Sequence, residues 1–169
     1  MHVDHLEHAF VMEWVQQLRH QPYFSFLDSS DLGHSDARFS YVAFDPMTVL
    51  EWKEGRFVLR DTKTNKFDCF DRFQNAFDAI SSLYSEWEPL ELAPFTGGVL
   101  ALFSYEMYRY LDSMPTQLKR GRLTEFPMCF MGLYQRVIVV DHHENAAYFV
   151  QRFLKEEPES LDMFCMHNK

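Results

Sequence analysis

The segment Pro94-Phe95-Thr96-Gly97-Gly98-Val99-Leu100-Ala101-Leu102-Phe103-Ser104-Tyr105-Glu106-Met107-Tyr108-Arg109-Tyr110 joins a glycine pair to an unbroken apolar run and then to a polar, aromatic helix start. A diglycine ahead of a helix raises the possibility of a phosphate cradle. Neither a P-loop Lys-Ser/Thr pair nor a dinucleotide-type glycine spacing follows it, so the pair reads as close backbone packing where a strand begins. The run Gly97 to Phe103 is apolar throughout and predicts a strand buried on both faces. Tyr105, Glu106 and Arg109 then open a helix, with Glu106 favoured at its positive end and Arg109 one turn from Tyr105. A surface salt bridge accounts for that charge pair equally well.

Working outward, Phe70, Phe73, Phe77, Ile80, Tyr84 and Trp87 step by three and four, which predicts a helix from about Asp71 to Trp87 with one apolar face laid on a sheet. Leu6, Phe10, Val11, Trp14, Val15 and Leu18 recur at the same period and predict an amphipathic helix from Asp4 to about Arg19, ended by Pro22. Between them, Tyr23 to Asp28, Arg38 to Phe44, Thr48 to Trp52 and Arg56 to Arg60 are aromatic and β-branched and read as consecutive strands. Lys53-Glu54-Gly55 is short enough to make the last two a hairpin. Downstream, Pro115 to Pro127 reads as a basic loop. Cys129 to Asp141 and Ala146 to Phe153 read as strands around the turn-like His142-His143-Glu144-Asn145. The expected class is α+β: a largely antiparallel β-sheet flanked by helices, in a single domain spanning 1–169.

The chain has 17 Phe, 8 Tyr and 3 Trp among 169 residues, an aromatic load that demands burial in a core or under a partner surface. A chain of this length buries roughly two-thirds of its unfolded surface, so a real core is available. Its net charge is −9 and no stripe of Lys and Arg interrupts the acidic spread, which argues against a nucleic-acid partner. No apolar run approaches the roughly 20 residues of a membrane helix, and no basic-then-apolar leader opens the sequence, so no membrane role and a cytoplasmic location are expected. Cys69, Cys129 and Cys165 are odd in number and far apart, as reduced thiols are.

His2, His5 and His8 are spaced for one helix face, and Asp141, His142 and His143 lie together, but a frayed terminus and a solvated turn explain them better than a metal does. No Gly-x-Ser-x-Gly elbow and no Cys-His signature offers a nucleophile. More suggestive is the loop Ser30 to Ala37, flanked by Asp28 and Arg38. An α-amino acid needs an anion for its ammonium, a cation or amides for its carboxylate and an aromatic wall. Asp28, Arg38 and Phe39 could provide these, and a plain connecting loop fits the same residues.

Taken with Leu27-Asp28-Ser29, with Arg38-Phe39-Ser40-Tyr41-Val42-Ala43-Phe44-Asp45-Pro46, with Pro115 and with Gly132 to Asp141, the Pro94–Tyr110 segment resembles the N-terminal region of component I of the chorismate-using synthases, the family of aminodeoxychorismate and anthranilate synthase. The resemblance runs from about Tyr23 to Phe153. Phe26-Leu27-Asp28-Ser29 is closer to the aminodeoxychorismate branch than to the Leu-Leu-Glu-Ser usual in anthranilate synthase.

The resemblance implies the N-terminal half of the component I fold and an amino-acid pocket of the kind that binds tryptophan. By motif that pocket is lined by Ser29, Asp36, Ala37, Arg38 and Phe39, with Leu27 and Asp28 from the adjoining strand. It implies no catalytic residue in this chain, because the family's chorismate site, its magnesium-binding glutamates and its nucleophilic lysine lie in a C-terminal half absent from it. Magnesium belongs to the full-length family enzyme, and no cofactor is expected in this segment. Expected partners are that chorismate-binding half and a glutamine amidotransferase whose ammonia replaces the C4 hydroxyl of chorismate, giving 4-amino-4-deoxychorismate, a precursor of 4-aminobenzoate in folate biosynthesis. The alternatives are a tryptophan-binding regulatory domain of anthranilate synthase and a relict protein-interaction domain.

Overall fold

A computed structural model describes residues 1–31, 33–34, 36–85, 87–108 and 127–153. Its ten strands are β1 (His2–Leu6), β2 (Ser25–Leu27), β3 (Phe39–Ala43), β4 (Thr48–Lys53), β5 (Arg56–Asp61), β6 (Phe67–Phe70), β7 (Gly98–Phe103), β8 (Cys129–Tyr134), β9 (Arg136–Asp141) and β10 (Ala146–Gln151). The helices are α1 (Val11–Leu18) and α2 (Phe73–Tyr84), with 3₁₀ turns at His8–Phe10 and Tyr105–Met107. The strands form two five-stranded sheets, ordered β1-β10-β9-β3-β2 and β6-β5-β4-β8-β7, and every pairing is antiparallel. The α+β class with largely antiparallel sheets is the observed one.

The chain leaves one sheet for the other at two neighbouring points. Between β3 and β4 it turns at Asp45, whose φ is +50°, and between β8 and β9 it passes through Gln135 alone. An Arg136–Asp45 ion pair of 3.0 Å and a Met47 N–H to Leu133 carbonyl bond of 2.9 Å tie these crossings together. Tyr134 is fully buried beside them and donates its hydroxyl to the Tyr23 carbonyl at 2.7 Å. A Cβ on Gly132 would stand 2.7 Å from that tyrosine ring, so the ring fits only against a glycine.

Three apolar clusters follow from the two sheets. Leu50, Phe57, Met131 and Leu133 of the second sheet pack against Ala76 and Ile80 of α2, as the helical spacing predicts. Val42, Ile138, Val140 and Ala147 of the first sheet pack against Val11 and Leu18 of α1. The opposite face of that sheet, with Ala43, Val137, Val139 and Val150, is covered by Leu90, Leu92, Ala93 and Phe95 from the connection ahead of β7.

Several elements differ from expectation. Residues His2 to Leu6 form a strand on the β10 edge, because the backbone hydrogen bonds of that edge outcompete the first turn of an amphipathic helix; the helix begins only at Val11. The expected strand Cys129 to Asp141 is two strands in different sheets. β6 was not anticipated, since Phe67-Asp68-Cys69-Phe70 is too short and polar to announce itself. β7 is an edge strand rather than one buried on both faces, with Leu102 43 % and Phe103 44 % exposed; an apolar run does not say whether a neighbour lies on each side. Over Tyr105–Met107 the expected helix start is a 3₁₀ turn, Tyr108 after it is α-helical, and residues 109–126, with Arg109 and most of the Pro115 to Pro127 loop, lie outside the described residues. The glycine pair does pack closely, as expected: a Cβ on Gly97, at φ +111°, would meet the Tyr134 carbonyl at 3.1 Å and Arg152 Cγ at 3.2 Å. Among the described residues no helix is long and apolar enough to cross a membrane.

Candidate functional site

β2 and β3 pair in the register Ser25↔Ala43, Phe26↔Val42 and Leu27↔Tyr41, so Leu27 shares a face with Tyr41 while Phe26 shares the α1 face with Val42. Just past β2, Ser29 clasps the start of β3. Its N–H donates to Ser40 Oγ at 2.9 Å, and its own hydroxyl donates to the Phe39 carbonyl at 2.7 Å. Ser40 is buried and its hydroxyl also meets Asp28 Oδ1 at 3.2 Å and His142 Nε2 at 2.8 Å. The single Ser40 hydroxyl proton can be donated to one of the two. With His142 protonated at Nε2, the ring donates to Ser40 and the Ser40 proton goes to Asp28. Burial and the nearby His8 pull the His142 pKa below its ordinary value, against the opposing pull of Asp28 and Asp141.

Arg38 reaches across to the neighbouring strand β9. Its Nε and Nη2 grip the buried Asp141 carboxylate at 3.0 and 2.6 Å, and its guanidinium lies 4.8 Å from the centre of the Phe39 ring. Asp141 Oδ1 also accepts the His143 and Glu144 N–H groups at 3.0 and 3.2 Å, closing the β9–β10 turn. Burial pushes the Asp141 carboxyl up, but the Arg38 guanidinium and these two N–H groups outweigh it and hold it below the usual carboxylate value. From Phe39 a row of rings runs across the face, stacked on Tyr41 at 6.2 Å, with Tyr41 edge-on to Phe95 at 5.7 Å. Phe95 is kept there by Arg152, which donates to the Thr96 carbonyl at 3.0 Å, Thr96 Oγ1 at 2.6 Å and the Glu88 carbonyl at 2.6 Å.

The sequence-predicted residues therefore fall on two sides of the β2–β3 ribbon. Leu27, Ser29 and Phe39 gather on the face carrying Tyr41 and Phe95. The Asp28 carboxylate is tied to Ser40 on the α1 face, so Asp28 and the Phe39 ring do not look onto one volume. Arg38 is committed to Asp141. Asp36 and Ala37 lie in the turn that leads into β3, where the Ala37 N–H donates to the His34 carbonyl at 3.1 Å. Sequence reasoning missed Ser40, Asp141, His142, Tyr41 and Phe95 as parts of the arrangement. The alternation of β3 could have paired Ser40 with Asp28, whereas nothing local connects Arg38 to a carboxylate 103 positions away.

The histidine groupings separate. His2 pairs with Asp4 at 2.8 Å, His5 abuts the Tyr148 ring and His8 abuts His142, and among the described residues no three His, Cys, Asp or Glu side chains are placed to hold a metal ion. The magnesium of the resemblance has no fitting donor set there, and no chemical step through it is assigned to this chain.

No family model matches the chain. It is 24 % identical over 144 residues to anthranilate synthase component 1 of Bacillus subtilis, covering 83 % of this chain and 27 % of that protein. It is 26 % identical over 147 residues to aminodeoxychorismate synthase component 1 of Salmonella typhimurium, covering 87 % and 31 %. With anthranilate synthase component 1 of Synechocystis the identity is 32 % over 107 residues, covering 60 % and 20 %. The crystal structure of anthranilate synthase component I from Streptococcus pneumoniae superposes with a TM-score of 0.58 at 18 % identity, over 75 % of this chain and 27 % of that one, and shows the shared fold. The chain thus spans under a third of the length of these relatives. Motifs, two-sheet architecture and relatives agree in a resemblance to the N-terminal region of the anthranilate and aminodeoxychorismate synthase component I family.

Proposed function

We propose that residues 1–169 form a single non-catalytic domain that scaffolds an aminodeoxychorismate synthase component I and carries its amino-acid pocket. The observation that carries this reading is the clasped β2–β3 ribbon, in which Ser29 is locked to Phe39 and Ser40 beside an aromatic row. Such a rigid, partly apolar ledge suits the ring of a tryptophan-like amino acid against Leu27, Phe39 and Tyr41. With Arg38 bound to Asp141 and the Asp36 and Ala37 N–H groups bonded to His34, the ligand's carboxylate is met by the outer edge of the half-exposed guanidinium. The chorismate-binding half supplies the remaining wall, the magnesium site and the chemistry, and a glutamine amidotransferase supplies ammonia.

The edge strand β7 supports a partner of this kind. Leu102, Phe103 and the adjoining Tyr105, which is 88 % exposed, leave an apolar margin on a strand edge that no other strand pairs among the described residues, the feature that another strand or an apolar surface covers.

Incubation of the purified chain with chorismate, magnesium and ammonia is expected to give no aminodeoxychorismate, and turnover would refute the reading. Calorimetry with tryptophan is expected to show binding that Phe39→Ala abolishes; an absence of heat up to about millimolar ligand would remove the pocket. The anthranilate branch is the second reading, favoured by the relatives of that name. Mixing the chain with the separately expressed chorismate-binding half of each enzyme in turn decides between them, by which half it binds and restores to activity.

A further inference from the structure

Apart from the Leu27–Phe39 ledge, a cleft of about 430 Å³ opens beside the sheet crossings, lined by Pro22, Tyr23, Asp45, Pro46, Arg60 and Thr62. It shares no residue with the proposed amino-acid pocket. Its volume falls within the roughly 300–1,000 Å³ usual for small-molecule sites. Its walls are fixed by bonds that point away from it. The Tyr23 carbonyl accepts from Tyr134, the Asp45 N–H donates to the Pro22 carbonyl at 3.3 Å, and Thr62 Oγ1 donates to the Pro46 carbonyl at 2.6 Å. The Tyr23 ring is stacked on Phe130 at 5.5 Å with an interplanar angle of 18°, so it cannot collapse inward.

The charges of the cleft do not cancel. Asp45 is neutralised by Arg136 at the crossing. Arg60, from β5, donates Nη2 to the Tyr23 hydroxyl and lies 5.9 Å from the centre of the Tyr23 ring, and among the described residues no carboxylate is ion-paired with it. A chain of net charge −9 thus holds a cation with no ion-paired acid among the described residues in a preformed concavity walled by two prolines, a tyrosine and the Arg136-paired Asp45. A guanidinium fork with only a phenol for a partner retains donors arranged for the two oxygens of a carboxylate. The flat pyrrolidine and phenol surfaces suit a planar apolar body.

We propose that this cleft binds a small aromatic monocarboxylate, with its carboxylate on Arg60 and its ring against Pro22, Pro46 and Tyr23. The test is residue-resolved NMR titration of the intact chain with sodium benzoate, and with acetate and inorganic phosphate at equal ionic strength. Benzoate is expected to produce saturable shifts at Tyr23, Asp45 and Thr62 and at the Arg60 side-chain N–H. Arg60→Gln, with its spectrum otherwise unchanged, is expected to weaken binding about tenfold, the loss of roughly one charge-assisted contact. Acetate and phosphate are expected to bind measurably more weakly than benzoate. Unchanged affinity in Arg60→Gln overturns the proposal, as do acetate or phosphate binding as tightly as benzoate, or shifts confined to Leu27–Phe39. Should the variant not fold, the comparison of anions on the native chain decides alone. Because probe and reporting residues differ from those of the tryptophan titration, failure of one reading leaves the other standing.

Discussion

Replacing Arg152 by methionine tests how the aromatic wall of the ledge is held in place. Arg152 is 7 % exposed and, among the described residues, bonds to neutral groups, the Thr96 carbonyl and hydroxyl and the Glu88 carbonyl. Methionine keeps much of the apolar stem, so the change isolates the polar contribution. Three hydrogen bonds from a cation, at about 1.5–3 kcal/mol each, set a ceiling near 5–9 kcal/mol. Two effects lower it. The carbonyl of Glu88, at an exposed position, regains water, and removal of a buried cation returns several kcal/mol of desolvation, since among the described residues no carboxylate is paired with Arg152. What remains is chiefly the orphaned carbonyl and hydroxyl of buried Thr96, a destabilisation of about 2–3 kcal/mol. For a chain of this size that is a Tm lower by roughly 4–10 °C. Circular dichroism melting measures it, and hydrogen exchange is expected to quicken at Phe95 and Thr96 before it does in β9. Arg152→Lys, able to reach one acceptor group, is expected to fall between. A Tm within about 2 °C of the native chain, or above it, would show that desolvation cancels the bonds and that Arg152 does not hold the wall.

Gly132→Ala is expected to cost about 1–3 kcal/mol, read from the denaturant midpoint, because its Cβ meets the Tyr134 ring at 2.7 Å in a fully buried site. Tyr134→Phe removes the bond to the Tyr23 carbonyl and is expected to cost about 1–2 kcal/mol by the same measurement. The lowered Asp141 pKa contributes stability that is complete above the ordinary carboxylate value, near pH 4, and is lost as pH falls through the folded-state value. Asp141→Asn is therefore expected to lower stability at pH 7 and flatten the acid limb, while the similarly lowered Asp61 leaves part of that limb in place. Burial pushes the Cys129 thiol up to about 12, whereas Cys69 is exposed. With Ellman's reagent at neutral pH, Cys69 is expected to react quickly and Cys129 only on unfolding.

The strongly periodic elements were legible in the sequence. The three-and-four spacing of Phe73, Phe77 and Ile80 gave α2, and Thr48 to Arg60 gave a hairpin whose turn residues Glu54 and Gly55 both take positive φ. His2 to Leu6 was misread because Leu6 and Phe10 satisfy a helical period as well as a strand docked on β10, and only the presence of that edge chooses between them. The ledge was legible in part for a similar reason. Leu27, Ser29 and Phe39 are near in sequence and paired by a local hairpin, so a motif finds them. Asp141 and His142 reach the same place through β9, and no local pattern records that pairing.

The sequence alone carried the family resemblance, through its motifs, and the antiparallel α+β character, through the density of short alternating strands and turn signals. It also excluded a phosphate cradle in the Pro94–Tyr110 segment, for want of the lysine that such a site needs. Tertiary structure decided how the strands divide between two sheets at Asp45 and Gln135, that β7 lies on an edge, and that Arg38 answers Asp141 while Arg60 lines a cleft with no carboxylate ion-paired to it among the described residues. The reason is that alternation along a strand specifies which side chains share a face. Which strand lies alongside is settled by contacts that close over a hundred residues of chain.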